Sequence, residues 1–269
     1  MPEPLRYARD ISERRALGSN RRRTLRGTAA KRNSSKSLTD QVYESLKDDI
    51  LRAHRAPGDL LLEPELVENY HVSKTPIREA LRLLIQEDWV IVMPRKGYLV
   101  RPLRLEDVRE IFMLRQLIEP GLVAEAARRA LPADLDRLRG HLHLHEQARD
   151  HLDDALVAAS GFHLTLAELG GNARAVRIVS GLLDEIRRLH HLMPVLEGRL
   201  TSKAEIESHR EIIDALAAKR PDQAATLMGE HLADAAQVMV GAFGGLPPKG
   251  PRGSHQPAAS DNTGKRPKP

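Results

Sequence analysis

The stretch from Glu63 to Val100, EPELVENYHVSKTPIREALRLLIQEDWVIVMPRKGYLV, decides the fold. Glu63 to Tyr70 reads as a short helix with Leu66 and Val67 turned inward, and His71-Val72 as a tight break. Ser73 stands where it can cap the next helix, and Pro76 is tolerated in that helix's first turn. Ile77, Leu81, Leu84 and Ile85 then form a buried stripe that runs to near Asp88. Val90 to Met93 and Tyr98 to Val100 read as strands joined by Pro94-Arg95-Lys96-Gly97, a glycine-containing turn. Upstream, Leu38, Val42, Leu46 and Ile50 recur every four residues, with Thr39-Asp40 offering a capping oxygen and a negative charge. A helix is expected there to near Ala53, before the Pro57-Gly58-Asp59 turn. Three helices followed by a hairpin make a winged helix-turn-helix over residues 38–101.

The second of the paired helices is the one such a shape places in the major groove. Lys74, Arg78 and Arg82 are spaced by four along it, and Ser73 and Thr75 lie at its N-terminus, where hydroxyls and backbone N–H groups meet phosphate. The turn adds Arg95 and Lys96, with Gly97 permitting close approach to the DNA backbone. Residues 38–101 carry nine Lys/Arg against eleven acids, so the positive charge is concentrated on one helix and one wing. Taken singly, each cation also reads as a solvated surface charge, or as the partner of a nearby acid in the case of Arg82. Taken together they read as an interface for double-stranded DNA.

Arg101-Pro102-Leu103 marks a boundary, and 102–105 a linker. Beyond it only helical patterns occur, at about 105–119, 121–130, 133–147, 152–169, 173–192, 202–219 and 222–241. Pro120-Gly121, Leu131-Pro132, Gly170-Gly171-Asn172, Met193-Pro194 and Pro221 punctuate them, with Asn172 a candidate N-cap. The expectation is a mainly α protein whose second part, residues 106–243, is an all-helical bundle of six or seven helices. Composition agrees, because 3% aromatics in 269 residues leave a core of Leu, Ala, Val and Ile. The absence of cysteine excludes disulfides, thiolate metal sites, iron–sulfur clusters and cysteine nucleophiles. No apolar run approaches the roughly 20 residues that span a bilayer, and no signal segment is evident, so a cytoplasmic protein, nucleoid-associated when bound to DNA, is expected. The net charge of +5 divides unevenly: residues 1–37 hold eleven Lys/Arg against three acids, and 244–269 hold five against one. Both ends read as disordered basic tails.

At this level of detail the chain resembles a known family. Pro57-Gly58, Leu62-Glu63-Pro64-Glu65-Leu66, Val72 to Leu81 and Pro94-Arg95-Lys96-Gly97 are similar to the signature of GntR-type transcriptional regulators. The resemblance implies a homodimer that contacts operator DNA through Lys74, Arg78 and the wing tip. Pro64 departs from it, standing where many relatives carry a polar or basic residue. Within 106–243, Leu114-Arg115, Ile118-Glu119, Phe162-His163, Gly171-Asn172, Ser208-His209 and Glu230-His231-Leu232 resemble the helical FCD ligand-binding domain of the FadR-type branch. That implies a cavity holding a divalent metal and a small carboxylate effector. His163, His209 and His231 fall on three different expected helices amid apolar neighbours, and neutral imidazoles suit zinc or nickel with positions left open. The resemblance also implies an aspartate four residues before the first of these histidines, where this chain has Ala159. Arg115 resembles the arginine that clamps the effector carboxylate, and it also reads as an i,i+4 ion pair with Glu119. His141, His143, His145, His190 and His191 have no assigned role.

Three functions compete. The first is a sequence-specific transcriptional regulator of the repressor type, controlled by a carboxylate metabolite. A second is a metal-dependent enzyme joined to a nucleic-acid-binding domain, against which stands the lack of a Walker loop, a G-x-S-x-G elbow and a dinucleotide fingerprint. The third is a non-specific nucleoid-type binder driven by the basic tails. The first accounts for both halves of the chain, so no enzymatic activity is expected.

Overall fold

A computed structural model of the chain describes residues 36–148 and 151–244. The tails expected at 1–37 and 244–269 therefore lie almost wholly outside the described residues. The chain divides into two compact units between Leu103 and Arg104, each with its own core.

In the first unit α1 spans Leu38–Leu51, β1 Leu60–Leu61, α2 Glu63–Tyr70, α3 Lys74–Gln86, β2 Val90–Met93 and β3 Gly97–Val100. The cap of α1 is Ser37 rather than Thr39: its Oγ accepts from the Asp40 N–H at 3.1 Å while the Asp40 carboxylate accepts from the Ser37 N–H at 3.2 Å. This reciprocal pair satisfies two amides that the helix start leaves open. Ser73 occupies the N-cap position of α3 in extended conformation, but its side chain makes no capping hydrogen bond. Val42, Leu46 and Ile50 of α1 meet Leu66 of α2, Ile77, Leu81 and Leu84 of α3, and Trp89 in one buried core. The sheet is three-stranded and antiparallel in the order β1-β3-β2, with Leu60 paired to Leu99 and Val90 to Val100. The hairpin expected from the sequence is thus joined by a third strand. Two residues are too few for an alternating pattern to announce it.

In the second unit α4 spans Leu105–Arg129, α5 Pro132–Gln147, α6 Leu152–Leu169 and α7 Ala173–Leu192. A 3-10 turn at Pro194–Leu196 leads into the short α8, Glu197–Leu200, then α9, Lys203–Ala217, and α10, Pro221–Phe243. The expected break at Pro120-Gly121 does not occur, and 105–119 and 121–130 form one helix. Proline there removes one backbone bond, at a cost of about 3 kcal/mol in a helix interior. Against this, Val108, Ile111, Arg115, Glu119, Leu122, Val123 and Ala126 form a single buried stripe that runs through the proline. Gln116, whose carbonyl loses its partner, is exposed and open to water. Asn172 does cap α7, its Oδ1 accepting from the N–H groups of Arg174 and Ala175. α10 packs along α4, while α9 lies against α5 and α10, so that α4, α6, α9 and α10 surround one interior. Phe162, Leu138, Ile212, Leu216, Met228 and Leu232 fill its main core.

Candidate functional site

The first candidate surface lies on α3 and the wing. Burial of Ile77, Ala80, Leu81 and Leu84 turns the opposite face of α3 outward, and Lys74, Thr75, Arg78 and Arg82 are all exposed, as is Ser73 before them. Two of the cations also meet acids. Arg78 Nε donates to Glu63 Oε2 at 2.9 Å, and Arg82 pairs with Glu79 at 3.1 Å. Tyr98 Oη donates to the other Glu63 oxygen at 3.1 Å, so one carboxylate ties α2, α3 and wing strand β3 together. These are solvent-facing pairs of small net strength, which a phosphate can displace. Arg95 and Lys96 are exposed at the wing tip, where the Lys96 N–H donates to the Met93 carbonyl to close the turn. Arg95 sits at φ 61, a left-handed conformation that aims a long cation outward at some backbone strain. The constraint on Gly97 is internal. At φ 111 a Cβ there would meet the Leu61 carbonyl oxygen at 2.7 Å, so glycine lets β1 and β3 close.

The second candidate site lies inside the helical unit. His163 on α6, His209 on α9 and His231 on α10 converge, with one ring nitrogen from each lying within 4.8 Å of the others, and all three are buried. Phe162 stacks on His209 with centroids 4.2 Å apart and fixes the plane of that ring. Hydrogen bonds set the tautomers. His163 Nδ1 lies 2.6 Å from the ionised Glu119 Oε2 and 3.2 Å from the donor Arg115 Nη2; the shorter contact to the carboxylate favours a proton on Nδ1 and a lone pair on Nε2. Ser208 Oγ donates to the Glu205 carbonyl at 2.8 Å and so must accept from His231 Nδ1 at 3.0 Å, which leaves a lone pair on His231 Nε2 as well. These two Nε2 atoms face each other at 3.3 Å. Two lone pairs at that distance repel, whereas two imidazoles on one tetrahedral zinc, with Zn–N of about 2.0–2.1 Å, put their nitrogens roughly 3.3 Å apart. Neither nitrogen of the fully buried His209 meets a hydrogen-bond partner. The donor set therefore fits a divalent transition metal.

The electrostatics agree. Burial pushes His163, His209 and His231 below the ordinary histidine range, helped for the last two by the neighbouring rings, so all three imidazoles are neutral near pH 7, the form in which imidazole can bind a metal. Burial alone would raise Glu119, but Arg115 and then His163 outweigh it and hold the carboxyl at about 2. An ionised carboxylate behind a ligating histidine orients the ring and raises its basicity. Arg115 Nε donates to Glu119 Oε1 at 2.5 Å, so the guanidinium is engaged by its own helix while still lining the adjoining cavity.

That cavity, about 60 Å³, is also lined by Phe112, Ala159, His190, Arg199, Glu205 and Met239. Burial pushes Glu205 up to about 7, with Arg199 and Arg115 opposing and Asp234 adding to the rise. His190 is driven down to about 4 by burial and then by His191 and His145. His145 stands 5.8 Å from the His209 ring, while His191 leaves the centre to pair with Asp153 at 3.1 Å. Sequence reasoning left Glu205 and His190 unassigned. For Glu205 a signal existed, since it precedes His209 by one helical turn.

Known proteins bear on both halves. Residues 38–100 match the bacterial regulatory proteins of the gntR family, and residues 110–234 match the FCD domain. A Streptomyces ambofaciens protein described as an uncharacterized HTH-type transcriptional regulator in an unstable DNA locus is 34% identical over 199 residues, which cover 71% of this chain and 80% of its own. The HTH-type transcriptional repressor RspR of Escherichia coli K12 is 26% identical over 202 residues, 74% of this chain and 88% of its own. Among solved structures, a GntR regulator from Rhodococcus sp. RHA1 has a TM-score of 0.66 at 27% identity, covering 77% of this chain and 99% of that one. With both halves matched and a relative of that identity spanning most of its length, the chain belongs to the GntR family of bacterial regulatory proteins, as a DNA-binding transcriptional regulator whose second half is an FCD domain.

Proposed function

We propose that this regulator is a homodimeric, cytoplasmic repressor. Residues 38–101 bind an operator, and residues 106–243 bind a small acidic metabolite and hold the dimer together. Ser73, Lys74, Thr75, Arg78 and Arg82 on α3 and Arg95, Lys96 and Gly97 on the wing make the DNA contacts, with arginine suited to bidentate pairing with guanine. His163, His209 and His231 hold zinc or nickel, which when bound offers an effector carboxylate a Lewis-acidic partner. The observation that carries the metal-dependent part of this reading is the 3.3 Å approach of His163 Nε2 and His231 Nε2 within the buried three-histidine cluster.

Charge supports an acidic effector. In the cavity Arg115 is balanced by Glu119 and Arg199 at most by Glu205, so a divalent ion leaves a net positive interior. Size supports a small one, because the cavity is far below the roughly 300–1000 Å³ of pockets for drug-sized ligands. Arg115 then reaches an effector only by sharing its guanidinium with Glu119. Regulation follows if the effector binds one arrangement of the dimer more tightly than the other.

The test is selection of operator sequences from a random duplex library, followed by fluorescence anisotropy on the selected duplex. Small carboxylic acids such as citrate, lactate and malonate are titrated into zinc-loaded and metal-free protein. Weakened operator binding that depends on both acid and zinc is expected. No selected sequence would overturn the regulator reading, and no response to any acid in either form would overturn the effector coupling.

A further inference from the structure

A carboxylate stands beside the three histidines, on a different helix from the one that family resemblance implies. Ala159, one turn before His163 on α6, lines the cavity and offers no donor. On α9 the same four-residue spacing recurs: Glu205 lies one turn before His209, which puts both side chains on one helix face. Glu205 is 8% exposed, and its Oε1 stands 3.7 Å from His209 Nε2 and 3.8 Å from His231 Nε2. Its other oxygen faces Arg199 Nη2 at 3.6 Å. All three separations exceed hydrogen-bond length, so this buried carboxylate is surrounded by nitrogen and bonded to none of it. The backbone on either side is fixed. Its N–H donates to Ser202 Oγ at 3.2 Å, and its carbonyl accepts from Ser208 Oγ, the hydroxyl that orients His231.

We infer that Glu205 is the fourth protein donor of the metal centre, completing a three-histidine, one-glutamate site from α9 in place of the carboxylate missing at position 159. This rests on the metal-site reading above. Ligand atoms of one tetrahedral zinc lie roughly 3.3 Å apart, so Oε1 needs to approach the two nitrogens by only about half an ångström. A carboxylate oxygen beside three imidazoles is a common donor set for zinc and nickel, and it halves the charge that the ion brings into a buried site. Arg199, on the short α8, then steadies the second carboxylate oxygen at the cavity wall.

The experiment measures Zn²⁺ affinity of chelator-treated full-length protein by competition with a chromophoric chelator, together with the visible absorption spectrum of the Co²⁺ form. Parent, E205Q, E205A and H163A are compared, and melting of each apo form checks that it folds. E205Q keeps the volume of the side chain, so a loss of affinity confined to E205A, with E205Q parent-like, is a packing effect and overturns the role of the carboxylate. The expected result is at least a tenfold loss of Zn²⁺ affinity in E205Q together with a changed Co²⁺ spectrum. Parent-like affinity in E205Q and E205A, with binding lost in H163A, overturns the role of Glu205 and leaves the histidine site standing. Weaker binding with an unchanged Co²⁺ spectrum also overturns it, since Glu205 then acts through its charge and not as a donor. A parent protein that binds neither ion overturns the metal reading itself.

Discussion

Arg115 distinguishes a structural ion pair from a free effector clamp, and its removal gives different results for each. Its side chain is 4% exposed and that of Glu119 3%, with Nε on Oε1 at 2.5 Å and Nη2 on Oε2 at 3.4 Å. Holding Glu119 at about 2 instead of its ordinary 4.5 is worth about 3 kcal/mol of stability at neutral pH, an order-of-magnitude figure. Because the folded value lies below the unfolded one, that stabilisation is complete above about pH 5 and is lost as pH falls toward 2. Arg115→Leu is therefore expected to destabilise the metal-free helical unit by about 3 kcal/mol, in line with breaking a buried pair from one side. It should also flatten the fall in stability between pH 5 and 2. Adding Glu119→Gln should recover most of the loss, because the amide still accepts from His163 Nδ1 without leaving a buried charge unpaired. The assay is urea denaturation followed by far-ultraviolet circular dichroism, since the sole tryptophan, Trp89, lies in the other unit and reports on that one. Chelator is kept present because bound metal would add its own stabilisation. A cost below about 1 kcal/mol with an unchanged acid limb would refute the pairing argument and leave the guanidinium free for a ligand.

Arg78→Ala should weaken operator binding by about 1–3 kcal/mol if the side chain reads a base, while a phosphate contact alone would lower the salt slope by about one; anisotropy between low and moderate salt separates the two, and no change in either removes Arg78 from the interface. Gly97→Ala should destabilise the first unit by about 1–3 kcal/mol, because φ 111 and the 2.7 Å approach to the Leu61 oxygen both oppose a Cβ, and Trp89 fluorescence during thermal unfolding will show it. Ser208→Ala should reduce Zn²⁺ affinity about tenfold by freeing His231 from its tautomer, with little change in apo stability; parent-like affinity would mean that the hydroxyl does not orient the ring.

The winged helix was legible because each of its parts is dense with local signal. The stripe of Ile77, Leu81 and Leu84, the turn at His71 and the Pro94–Gly97 hairpin all fall where local patterns place them. Errors arose where a distant contact overrode a local cue. Pro120 is a helix breaker in isolation, yet α4 passes through it because residues on both sides bury one stripe. β1 exists only because β3 pairs with it, and two residues carry no periodicity. Ser37 takes the cap because it forms a reciprocal bond with Asp40, and Thr39, two residues on, falls inside the first turn. The three histidines were findable as buried-helix histidines. Their shared orientation was not, because it depends on Glu119 and Ser208 acting from separate helices. Glu205 shows the same limit, since its spacing from His209 was visible in the sequence but its 3.8 Å approach to His231 comes from the packing of α9 on α10.

If the centre needs one carboxylate beside three imidazoles, and not a carboxylate on a particular helix, the charge should be movable. Ala159 and Glu205 line the same cavity, each one turn ahead of a converging histidine. In protein carrying E205A, introducing Ala159→Asp adds a shorter side chain on α6 that follows the same i,i+4 geometry toward His163. Zn²⁺ affinity lost through E205A is then expected to return to within about tenfold of the parent, the lower end of the roughly 10–100-fold by which the surroundings of a ligand move such sites. Arg199 would lose the carboxylate 3.6 Å away in this double variant, the replacement standing on α6 across the same cavity. An acidic effector should consequently bind the relocated site at least as well as the parent. Zinc competition and citrate titration read these two effects separately. A double variant no tighter for zinc than E205A alone would show that α9 supplies something α6 cannot, and would tie the function of the centre to the stretch around Glu205 and Ser208.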